Sequence, residues 1–188
     1  SARSMKTTKA MTATTITIPL GGALTPTERL KAAVAGSRAI AADGGMRHAA
    51  VLGLAPELWV GDFDSSADLP VEDFPGVPRL PYPAQKAATD GEIAVEEALS
   101  RGARRLVLAG ALGGERSDHA LMHLLSGLAL AKSGLQVMMS SGSEEAFPLL
   151  RDDDAIREIA LRCEEWWQKH IVEGQAPEPT SEDDCKRL

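Results

Sequence analysis

The chain has 188 residues, 44% hydrophobic and 25% charged, with 27 acidic and 20 basic side chains and a net charge of −7. That length holds one good core, or one domain with an appendage. No apolar run reaches the roughly 18–20 residues of a membrane span, and the acidic balance argues against sequence-independent nucleic-acid binding, which needs clustered Lys and Arg.

Residues 1–12 are polar and lack an apolar signal core, so they read as a tag or disordered lead-in, with a basic targeting arm as the alternative. From residue 13 to 150 strand-like and helix-like stretches alternate. ATTITIPL (13–20) is β-rich and ends at Gly21-Gly22; Thr25-Pro26 then opens a helix with Glu28 in its first turn. RAIAAD (38–43) is a short buried strand. Gly44-Gly45 lead into a helix whose apolar face is Met46, Ala49, Ala50 and Leu54. ELWVGDFDSS is an apolar strand that breaks at Gly61 into an acidic loop. After a Pro-rich stretch (69–83), TDGEIAVEEALSRG is an amphipathic helix capped by Thr89 or Asp90. RLVLAGAL is a strand, SDHALMHLLSGLALAKSG a long apolar helix ending at Gly134, and LQVMMSS (135–141) a fifth strand. Such alternation with short loops predicts an α/β fold, a parallel sheet flanked by helices in three α/β/α layers. Ligands of such sheets sit beyond the carboxyl ends of the strands, where Asp43, Asp62 and Gly113-Gly114 fall.

The last segment differs in character. Residues 151–188 hold 11 of the acidic and 6 of the basic side chains, leaving 16 and 14 for residues 1–150. RDDDAIREIALRCEEWWQKHIVEG reads as one helix, capped by Asp152–Asp154 and stopped by Gly174. Its stripe is Ile156, Ile159, Ala160, Cys163, Trp166, Trp167 and Ile171. The final QAPEPTSEDDCKRL is Pro- and acid-rich. The two cysteines, Cys163 and Cys185, both lie here; a disulfide between them is possible but nothing in the sequence requires it, and a reduced intracellular setting is expected, while with four scattered histidines they offer no zinc spacing.

Four strings carry chemistry. In an extended Gly61-Asp62-Phe63-Asp64-Ser65, Asp62 and Asp64 point the same way and could grip one metal; a solvated acidic turn is the plain alternative. Asp43 before Gly44-Gly45 suits a metal ligand or a base at a strand end, or a turn that merely wants small residues. Lys86 could touch phosphate and Asp90 could be a further metal carboxylate, against an N-cap with an exposed lysine. Gly110-x-x-Gly113-Gly114-Glu115-Arg116 lacks the dinucleotide-fingerprint spacing, but it delivers Arg116 and a helix N-terminus, both suited to an anion. Asp118 could be a cap, and His119 a surface histidine; His48, His123 and His170 take the bland reading. Carboxylates gathered with a glycine-rich turn and an arginine suit a magnesium–nucleotide site, because hard oxygens hold Mg²⁺ while amides and guanidinium hold phosphate.

In this order, Ala42-Asp43-Gly44-Gly45, Gly61-Asp62-Phe63-Asp64-Ser65, Lys86-Ala87-Ala88-Thr89-Asp90 and Gly113-Gly114-Glu115-Arg116-Ser117-Asp118-His119 make residues 16–150 resemble the catalytic domain of thiamine pyrophosphokinases. The resemblance implies transfer of diphosphate from ATP to the hydroxyl of thiamine, releasing AMP, by a cytoplasmic homodimer that uses Mg²⁺. It implies catalytic roles for Asp43, Asp62, Asp64 and Asp90, with Asp62, Asp64 and Asp90 as metal ligands. Gly44, Gly45, Lys86, Thr89, Gly113, Gly114, Arg116, Asp118 and His119 would line the ATP site. Neither nucleic acid nor membrane is an expected partner. Three departures stand out. Ala87 replaces a usual Asp, His123 stands where Asn is common, and an α-helical acidic tail follows Leu150 in place of the family's small β-domain. That tail faintly resembles a stretch of phage-type recombination exonucleases and lacks a carboxylate–lysine core. The alternative function is a catalytically impaired nucleotide-binding module.

Overall fold

The five runs expected as strands stand in one sheet in a computed structural model that describes residues 14–63, 69, 74–82, 89–114 and 117–150. They are β1 (Thr15–Pro19), β2 (Arg38–Ala42), β3 (Pro56–Gly61), β5 (Arg105–Ala109) and β6 (Gln136–Ser140). Two edge strands join them, β4 (Arg79–Pro81) and β7 (Glu145–Ala146), and the order is β4-β3-β2-β1-β5-β6-β7. Every pairing is parallel, as expected, except that of the short edge strand β7 with β6. A direct turn through Gly142, with φ of +89°, reverses the chain and makes that last pair antiparallel. β4 lies in the Pro-rich stretch, where three residues ending in Pro81 carry no strand pattern; at a sheet edge a missing N–H is tolerated.

The strands alternate their faces. Ile16, Ile18, Ile40, Val60, Leu106, Leu108 and Met139 form one core with Ile93, Ala94 and Ala98 of α2 (Asp90–Ser100). Val107, Ala109 and Met138 pack on the other face against Leu30 and Val34 of α1 (Glu28–Val34). α3 (Ser117–Lys132) lies against β6. The result is the expected three-layer α/β/α arrangement.

Local chemistry sets the helix ends. Thr27 caps α1, its hydroxyl accepting from the Leu30 N–H, so the helix starts after Pro26 rather than at it. Thr89 caps α2 in a reciprocal box with Glu92, and Gly134 (φ +93°) ends α3. The helix expected over 46–54 is instead a 3-10 helix, Asp43–His48, followed by turns. Met46 and Ala49 are buried as expected, but Leu52 rather than Ala50 completes the apolar contact. At the amino-terminal edge, Arg38 forms a bidentate pair with Glu57 at 2.6 and 2.9 Å, and Arg101 joins it by bonding Glu57 and Glu97.

The chain divides into two units, Ser1–Pro148 and Leu149–Leu188. The expected lead-in (1–12) and the tail helix and Pro-rich end (151–188) lie outside the described residues. Among the described residues no helix is long and apolar enough to cross a membrane.

Candidate active site

β1 leads leftward to β2 and β5 leads rightward to β6, so the strand order reverses between them and leaves a crevice at their carboxyl ends. Two glycine-rich loops meet there. A Cβ on Gly22 would lie 2.2 Å from the Gly110 carbonyl oxygen, and one on Gly113 would lie 2.0 Å from that of Ala23. Only glycine lets these backbones touch. Gly45 is similar: its Cβ would meet the Pro19 oxygen at 2.1 Å, so this glycine lets the 3-10 helix pack on the end of β1, and it does not line the cleft. Gly44, Gly113 and Gly114 do line the cleft, whose volume is about 840 Å³.

Three carboxylates converge at one end. Asp43 follows β2, Asp62 follows β3, and Asp90 opens α2; one oxygen of each lies within 4.8 Å of the others, and all three residues are half-buried. Oxygens around one Mg²⁺ at its usual bond length lie roughly 3–4 Å apart, so a small contraction would close this set on a cation. Hard carboxylate oxygens suit that ion, and the donor set fits it. Asp64, expected as a ligand beside Asp62, lies outside the described residues, as do Lys86 and Arg116.

The remaining expected residues separate. The Thr89 hydroxyl is engaged by Glu92 at 3.0 Å, and the Glu92 carboxylate accepts the Thr89 N–H at 2.7 Å, so its first task is the cap. His119 lines the cleft, whereas Asp118 is exposed in the first turn of α3 and does not. His48 behaves as a structural group, donating Nε2–H to the Gly22 carbonyl at 2.9 Å; burial pushes its pKa down. His123 reaches the cleft, and its pKa is lowered by burial and then by His119, with Glu92 opposing.

Two residues escaped the sequence reading. Arg47 lines the cleft and donates Nε–H to the Gly44 carbonyl at 2.8 Å; an arginine two positions after the Gly-Gly turn was the available signal. Trp59 reads in sequence as a strand hydrophobe, yet its Nε1–H donates to the Asp43 carbonyl at 2.9 Å.

The thiamin pyrophosphokinase catalytic-domain family matches residues 32–139. The chain belongs to that family. A solved thiamin pyrophosphokinase from Geobacillus thermodenitrificans is similar at 31% identity and TM-score 0.53, over 67% of this chain and 59% of that one. A thiamine pyrophosphokinase from Bacillus subtilis shares the fold at 23% identity and TM-score 0.57, over 67% and 60%. A family protein from Enterococcus faecalis matches at 26% identity and TM-score 0.50, over 69% and 61%. The chain thus spans about three fifths of the length of these solved relatives. Comparison with curated proteins finds no match.

Proposed function

We propose that this chain transfers the diphosphate of ATP to the hydroxyl of thiamine, giving thiamine diphosphate and AMP, with Mg²⁺ at Asp43, Asp62 and Asp90. The observation that carries this is the meeting of those three carboxylates, with Asp43 and Asp90 lining the switch-point cleft, in a family member. The thiamine oxygen attacks the β-phosphorus, the bond from that phosphorus to the oxygen bridging the α-phosphorus breaks, and AMP leaves with the electron pair. The hydroxyl proton passes to a carboxylate, Asp43 or Asp90. Such transfer needs positioning and charge neutralisation above all. Bound Mg²⁺ would neutralise phosphate charge, with Asp64 as a further ligand. Arg47 at the cleft wall, together with Lys86 and Arg116 of the matched motifs, would supply cations for the phosphates, while Gly44, Gly113 and Gly114 let them approach backbone amides.

A cytoplasmic homodimer completes the proposal. Leu121, Leu124 and Leu125 lie at helical spacing on α3, are 39–55% exposed, and do not line the cleft. Such a stripe suits self-association. The deciding assay is AMP release from ATP by the full chain. Release that requires both thiamine and Mg²⁺ supports the proposal. Binding of a non-hydrolysable ATP analogue with Mg²⁺ but no AMP release would replace it with the nucleotide-binding module.

A further inference from the structure

Among the described residues only two that are not glycine have positive φ, Asp43 at +42° and Phe63 at +63°. Left-handed backbone is disfavoured for both side chains and persists only where the surroundings hold it. Both abut one indole. Trp59, 1% exposed, donates Nε1–H to the Asp43 carbonyl at 2.9 Å. The Phe63 ring meets the same indole edge-on, 5.2 Å between centroids at 87°. Arg79, on edge strand β4, places its guanidinium 3.8 Å over the Phe63 ring and 5.3 Å over that of Trp59. Phe74 also meets the indole edge-on, 5.5 Å between centroids at 71°. Gly61 leaves the room this needs, since a Cβ there would sit 3.2 Å from the Asp43 Cα.

These contacts act on the acidic cluster. Asp43 is one of its members, and Phe63 directly follows another, Asp62. We infer that Trp59 and Arg79 are positioning residues that fix the spacing between the Asp43 and Asp62 carboxylates, and through it the affinity of the cluster for a divalent cation. The indole N–H holds the Asp43 backbone. The ring, clamped by the Arg79 cation, holds the backbone beside Asp62. Neither side chain is a metal donor, so both act at one remove, as outer partners of a metal site do.

The inference rests on the metal reading proposed above, and its test separates the two. Mn²⁺ is titrated calorimetrically, without nucleotide, into the full wild-type chain and into Trp59→Phe, Arg79→Leu and Glu57→Ala. Trp59→Phe keeps an aromatic ring but loses the N–H donor. Arg79→Leu removes the cation from an edge strand. Glu57→Ala perturbs the opposite edge of the sheet and reports what lost stability alone does. The expected result is affinity weakened about 10-fold or more in Trp59→Phe and by a smaller factor in Arg79→Leu, with Glu57→Ala unchanged. Thermal unfolding is followed in parallel; if Trp59→Phe does not fold, Arg79→Leu decides alone. Wild-type binding with undiminished affinity in the folded variants overturns the positioning role and leaves the metal reading intact. Absence of Mn²⁺ binding in the wild type overturns both.

Discussion

Single side chains at the carboxyl edge divide into those that would hold ligand and those that hold loops. Asp62 belongs to the first group: Asp62→Ala is expected to weaken Mg²⁺-dependent binding of an ATP analogue by more than the ~10–100-fold typical of outer-shell losses, without shifting the unfolding midpoint. Calorimetry and thermal unfolding on the same samples check this; unchanged binding would remove Asp62 from the site. Gly113 belongs to the second group. Its absent Cβ is what lets the Ala23 carbonyl approach, so Gly113→Ala must force the two loops apart. A destabilisation of about 1–3 kcal/mol is expected by denaturant titration. The half-buried imidazoles of His48 and His123 give a pH signature. Burial holds His48 and His123 below the ordinary 6.5 in the folded chain, so the unfolded state takes up protons first as pH falls. The stability tied to the neutral rings is therefore present above about pH 6.5 and lost progressively below it. Replacing His48 by Gln and His123 by Asn should flatten the fall in unfolding free energy between about pH 7.5 and about pH 5.5, and an unaltered slope would rule that origin out.

At the scale of elements, α2 links stability to the site because its cap and its candidate ligand are adjacent. Thr89→Ala removes the hydroxyl that accepts from the Glu92 N–H and should cost about 1 kcal/mol, whereas Thr89→Ser should retain most of it. Denaturant unfolding of the two variants checks this, and equal stabilities would show that the cap contributes nothing. The elements legible in sequence share one property. β1, β2, β3, β5 and β6 are buried on both faces, so they appear as short continuous apolar runs bounded by glycine or charge. β4 and β7, with three and two residues, are defined by a partner strand alone and leave no pattern of their own. The 46–54 segment misled because its apolar spacing suits a helix, while the chain must also return within a few residues to Pro56 at the start of β3. Turns through Gly53, with φ of +68°, accomplish that return.

For the molecule as a whole, the order of motifs along the chain settled the class of fold and most of the candidate chemistry. Asp43, Asp62 and Asp90 each stand beside glycine in a turn between apolar runs, and a carboxylate at a strand end points to the carboxyl edge of a parallel sheet. Tertiary structure decided which of them meet. Parallel strands β2 and β3 are neighbours, and α2 begins beside their carboxyl ends, so carboxylates 19 and 28 positions apart along the chain come within 4.8 Å of one another. It also decided what several residues are for. Gly45 looked like room for a phosphate and is room for the Pro19 carbonyl; His48 looked incidental and ties two loops; Trp59 looked like core and reaches the Asp43 backbone. Sequence determines residue type and local spacing, and these follow from short-range sterics and burial. Direction is different: where a Cβ, an indole N–H or a carbonyl points depends on long-range packing across the sheet, which no local pattern encodes.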